Sequence, residues 1–189
     1  MDRRALLQWM VAAGGLAAFH RLSAHDLAQL GEETHARLAI APGAALALTP
    51  QELRTVAAAA ECIIPRTDTP GATDANVAAF IDVMMADWYP PADAERFRSG
   101  LATLDASSRS RFGVPYEDAS TAQQVELARV LDAEVTALRA SRGATANAHW
   151  FAMLKYLTVW GFCTSETGMR DVLKSHPGPM RYDGAAPVR

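Results

Sequence analysis

The sequence predicts an all-α fold: one compact helical domain of about five to six helices, with an N-terminal signal helix and an extended C-terminal tail. Three observations carry this. Apolar residues recur at helical spacing in one stretch after another. Helix-start signals precede those stretches, and proline or glycine closes them. No stretch sustains the apolar–polar alternation of a strand. The chain has 189 residues, half of them apolar, which suffices for one domain with its own core. Its net charge of −3 gives no electrostatic reason to expect nucleic acid as a partner.

Residues 1–24 have the layout of an export signal. Arg3 and Arg4 precede Leu6 and Leu7, and a mildly apolar run continues to Phe19, softened by Gly14 and Gly15. Adjacent arginines ahead of a weakly hydrophobic run suggest the twin-arginine route, which carries folded proteins. Leu22-Ser23-Ala24 is a tolerable cleavage site but departs from the usual A-x-A, so retention as an anchor stays open. Residues 25–48 are alanine-rich and weakly patterned, a short helix and then a linker broken at Pro42-Gly43. Glu32 and His35 form one Glu-x-x-His step, half of a di-iron carboxylate site, and without a second step they read as a solvated helix face.

The domain proper spans 49–189. Thr49 as N-cap, Pro50 at the first helical position and Glu52 closing a capping box make a strong helix start. Leu48 and Leu53 stand where a hydrophobic staple would be. This helix must end at Pro65, which pushes the residue before it out of the α region. The loop from Pro65 to Ala72 is rich in turn residues, with Asp68 and the threonines able to bond nearby backbone. Val77, Phe80, Ile81, Met84 and Trp88 then predict a helix over 74–88, with Asp82 and Asp87 on its solvated side. Pro90-Pro91 stops that helix and starts the next, which buries Phe97, Leu101 and Leu104 and stops at Gly113. Ser120 and Gln123 cap a further helix with an apolar stripe of Leu127, Val130, Leu131, Val135 and Leu138.

The stretch from Asn147 to Gly168 is the centre of the fold. Trp150, Met153, Leu154, Leu157 and Trp160 share one helical face, and Phe151 and Phe162 extend the apolar surface around the other side. Lys155 and Thr158 leave only a narrow polar strip, so this helix belongs in a core or under a partner. A membrane span would need about 20 consecutive apolar residues, which this stretch lacks. Met169, Val172 and Leu173 suggest one short helix before the proline-broken tail.

Catalytic signals are sparse. The five histidines are scattered, and none has a second histidine three or four residues away. Ser165 lacks a Gly-x-Ser-x-Gly elbow, and no dinucleotide or phosphate-binding glycine motif or haem-attachment motif occurs. Cys62 and Cys163 do not form a CxxC pair. For Cys163 no base can be named, and in an exported protein a structural or disulfide-bonded cysteine outweighs a nucleophile.

An ordered set of short motifs resembles the gluconate 2-dehydrogenase subunit 3 family. It runs through Ile63-Ile64-Pro65, the segment Thr67 to Ala72, Phe80-Ile81-Asp82 and Asp87-Trp88-Tyr89. It continues with Phe112-Gly113, Leu154-Lys155, Leu157-Thr158, Gly161-Phe162, Thr164-Ser165-Glu166 with Gly168, and Arg181-Tyr182-Asp183-Gly184. The resemblance covers the chain from about Thr49 to its end. It implies a non-catalytic small subunit of a periplasmic FAD-dependent dehydrogenase acting on sugars, sugar acids or glycosides. FAD is expected in a large partner of the glucose–methanol–choline type, with no cofactor, metal or catalytic residue in this chain. A cytochrome c subunit and the twin-arginine export machinery are further expected partners. The complex or a retained signal would hold the protein at the inner membrane.

On this reading Trp88, Tyr89, Phe162, Cys163, Glu166, Arg181, Tyr182 and Asp183 are the expected interface or interface-supporting residues. Cys163 stands where many members carry an aromatic, so three options stay open for it: a disulfide to Cys62, a disulfide to the partner, or a free buried thiol. An internal bond would add about 4 to 5 kcal/mol in the entropic model. Two competing readings are a helical enzyme with a metal or flavin in its core, and a stand-alone periplasmic binding protein with an apolar pocket.

Overall fold

The computed structural model describes residues 23–40, 46–142 and 149–174, and every regular element in those stretches is helical. The signal residues Arg3, Arg4, Leu6 and Leu7 and the tail residues Arg181, Tyr182 and Asp183 lie outside the described residues.

Helix α1 spans Ala24–Ile40 and opens on Ser23, which exchanges hydrogen bonds with Asp26. Helix α2, Pro50–Ile63, carries the expected capping box: the Glu52 amide donates to Thr49 Oγ1 at 3.2 Å and the Thr49 amide to Glu52 Oε2 at 2.7 Å. Helix α3, Val77–Asp87, starts three residues later than the apolar spacing predicts. The reason is local. The Asp74 carboxylate accepts the Gly71 amide and pairs with Arg66, which holds this stretch in a turn, and Asn76 ends it in the left-handed region at φ 51°. Helix α4, Pro91–Phe112, closes at Gly113, whose φ of 79° suits glycine. A 3-10 turn at Tyr116–Asp118 leads to α5, Thr121–Arg142, where Ser120 and Gln123 cap each other as expected. Helix α6, Trp150–Thr164, is capped by the His149 ring, and a π-helical turn follows at Gly168–Val172.

Helix α6 is buried on nearly every side and touches all five other helices. Its large side chains fill the core, each stabilising the fold by about 1.5–3 kcal/mol relative to exposure. Phe80 of α3 meets Trp160 edge-on, with ring centroids 5.5 Å apart. Gly161 is what lets α3 come so close, since a Cβ there would sit 2.6 Å from the Phe80 ring. Lys155 and Thr158 lie deeper than a polar strip suggests: Thr158 is fully buried and Lys155 reaches Asp132 of α5.

Three sequence readings need correction. Glu32 and His35 do not form one solvated face. Glu32 is exposed, but His35 is half-buried, stacks on Phe80 at 5.0 Å and bonds through Nε2 to the Gly161 carbonyl at 2.8 Å. The Trp160 indole likewise donates to the Leu27 carbonyl at 2.9 Å, so both contacts tie α1 to α6. Asp82 is not on a solvated side either. It is 2 % exposed, and its carboxylate accepts the amides of Leu46, Ala47 and Leu48 at 2.7–2.9 Å. Those three donors precede α2, and the Leu48 amide would otherwise go unpaired as that residue enters the core. Val130, placed on the apolar stripe of α5, is 46 % exposed, whereas Leu127 and Val135 are buried.

Candidate partner-binding surface

The sequence-predicted interface residues divide by depth. Trp88 caps the C-terminal end of α3 with its side chain 47 % exposed, an unusual position for so large an apolar group. Tyr89, the next residue, is buried, and its amide donates to the Met84 carbonyl at 3.2 Å. Phe162 and Cys163 are buried in α6 behind the surface. Glu166 is exposed and pairs with Arg170 one turn on. Phe80 of α3 lies against Gly161 and Trp160 of α6. Trp88 closes α3, whereas Glu166 follows the end of α6.

Both cysteines are free thiols, so the Cys62–Cys163 bond is not formed in this structure. Burial pushes the Cys163 thiol up to about 12, which leaves it protonated and inert near neutral pH. Cys62 is half-buried at the end of α2; the Tyr116 hydroxyl donates to its sulfur at 3.7 Å. Burial raises its pKa as well, partly offset by that hydrogen bond.

The loop after α2 is built on Glu61, a residue that no local sequence motif marks. Its carboxylate accepts the Arg66 amide at 2.7 Å and both the amide and hydroxyl of Thr73, at 2.9 and 2.7 Å. Partial burial alone would raise its pKa, but these bonds hold it below the ordinary 4.5. Within the loop, the Thr69 amide donates to Thr67 Oγ1 at 3.4 Å, the local backbone bonding expected of the threonines, while Thr67 Oγ1 donates to the Asp68 carboxylate at 2.9 Å.

Between the end of α2, one side of α5 and one side of α6 lies a cleft of about 310 Å³. Its walls are apolar, formed mainly by Ile63, Ile64, Val125, Ala128, Phe151 and Val159. Cys62 also lines it, and Arg129, Asp132 and Lys155 supply its charge. The α5 contribution repeats at i, i+3 and i+7 through Val125, Ala128 and Asp132, a second stripe beside the core-facing one. That stripe was visible in the sequence. The stronger leucine and valine periodicity next to it masks it. Among the described residues, no group of three or more His, Cys, Asp or Glu side chains is placed to hold a metal ion.

These features define a class: a small all-α protein organised around one buried helix, with an exposed tryptophan and an apolar cleft on its outside. The chain belongs to the gluconate 2-dehydrogenase subunit 3 family, whose model matches residues 50–179. The family takes its name from one subunit of a dehydrogenase made of several. The matched span includes every motif quoted above up to Gly168 and ends before Arg181. Comparison with curated proteins gave no match, and neither did comparison with solved structures.

Proposed function

We propose that this chain is the non-catalytic small subunit of a periplasmic FAD-dependent dehydrogenase that oxidises a sugar, sugar acid or glycoside. In this role it binds and stabilises a flavoprotein of the glucose–methanol–choline type and escorts it through twin-arginine export. The observation that carries the reading is membership of the gluconate 2-dehydrogenase subunit 3 family across residues 50–179. The paired Arg3 and Arg4 ahead of Leu6 and Leu7 support the export role. The exposed Trp88 supports a surface that expects a partner, since large apolar groups at the rim of a fold are typical interface anchors.

The test is purification of the tagged chain from the periplasm of its own host, with flavin absorbance recorded across the eluted peak. A large flavoprotein eluting in fixed ratio is the expected result. Replacing Arg3 and Arg4 together with lysine should then leave both proteins in the cytoplasm. A lone, colourless, stable protein from the native host would overturn the subunit reading.

A further inference from the structure

We propose that the cleft between α2, α5 and α6 is the seat of a segment of the flavoprotein partner that presents an apolar side chain with an acidic residue beside it. This inference rests on the accessory-subunit reading and assigns that partner a place to dock. The size and walls come first. At about 310 Å³ the cleft accommodates one or two large side chains, and Ile63, Ile64, Phe151 and Val159 offer them an apolar lining. An apolar anchor in a pocket is how a few residues come to dominate an interface.

Charge selects the rest of the occupant. Asp132 is already neutralised by Lys155, whose ammonium lies 2.5 Å from its carboxylate. Arg129, exposed at the same cleft, has no carboxylate of its own among the described residues. This stands out. Among the residues whose side chains are described, every arginine except Arg129 and Arg139 is ion-paired. Arg139 lies two turns beyond Asp132 on the same stripe of α5, and its buried Nε has no hydrogen-bond partner among the described residues. The cleft therefore offers apolar walls and uncompensated positive charge at its Arg129 edge, on a chain whose overall charge is −3. An acidic residue flanking the anchor complements that edge, and a bidentate carboxylate suits a guanidinium.

Cys62 supplies a reporter, because it is half-buried in the cleft lining whereas Cys163 is buried in α6. The wild-type chain alone and the purified complex with its flavoprotein are each treated with N-ethylmaleimide at pH 8.5, and modification at both cysteines is followed by peptide mass spectrometry. Cys62 is expected to react at least tenfold more slowly in the complex, with Cys163 unmodified in both samples. In parallel, Arg129→Glu is expected to weaken binding of the flavoprotein at least tenfold while the circular dichroism melt stays unchanged. Failure of either result overturns the proposal. If the lone chain already protects Cys62 at high concentration, the occupant is a second copy. If a small amphiphile extracted from the lone chain restores protection when added back, the occupant is that molecule. Both outcomes reject the partner segment. Absence of any flavoprotein from the wild-type preparation removes the subunit reading itself, a failure distinct from a complex that forms and leaves the cleft open.

Discussion

Two side chains decide more than their sequence context suggests. Asp82 gathers three backbone amides onto one buried carboxylate. Asp82→Asn keeps the shape but replaces one acceptor oxygen by a donor that faces the same amides. A hydrogen bond to a charged group contributes about 1.5–3 kcal/mol, so the variant should lose about 3 kcal/mol in urea unfolding with an unchanged m-value. Asp82→Ala should lose at least as much. His35 carries the pH dependence. Burial lowers its pKa below the ordinary 6.5, partly offset by its bond to the Gly161 carbonyl. A histidine with a lower pKa folded than unfolded binds more protons when unfolded, so stability falls as the medium is acidified below about pH 6.5. His149 shifts in the same direction through burial. Glu61, held below 4.5, gives up its contribution only at more acid pH, which separates the two effects. Urea midpoints measured from pH 8 to 5 should fall for the wild type and fall less for His35→Gln.

At the scale of elements, the helices could be read from local signals because local signals form them. The Thr49–Glu52 capping box, the prolines at the starts of α2 and α4 and the glycine after α4 all stand in the structure as the residues predict. What could not be read was long-range. Asp82 looks solvated because its position on α3 is set by periodicity, while its partners lie more than thirty residues earlier. The cleft needs faces of three helices, and no single stretch announces it. The candidate site was legible only as a set of residues: Trp88 and Glu166 are exposed, and the buried Tyr89, Phe162 and Cys163 lie behind the surface. The fit of α3 on α6 yields a further expectation. Gly161→Val places two methyl groups where the Phe80 ring already sits, and overpacking of this kind costs about 1–3 kcal/mol. Phe80→Leu combined with Gly161→Val should recover part of that loss, which a double-mutant cycle of thermal melts would measure.

For the whole molecule, the matched family span begins at residue 50, yet the folded body extends further back. Helix α1 covers Trp160 and Phe80 through Leu27 and His35. A chain starting at residue 46 should bind a hydrophobic dye and lose at least about 3 kcal/mol, because an apolar face and two cross-helix hydrogen bonds go together. A truncation that melts like the full chain would show α1 to be an appendage. The grip of Asp82 has a consequence on the clock of the molecule. The amides of Leu46, Ala47 and Leu48 belong to no helix, and amides outside regular structure ordinarily trade their hydrogens for deuterium within seconds to minutes. Here they are held by a buried carboxylate on α3, and the Leu48 amide, buried with it, meets solvent only when the body opens as a unit. In deuterium exchange the Leu48 amide should keep pace with the slowest amides of α6, and its rate in the assembled complex would read out directly how far a partner shuts that opening down.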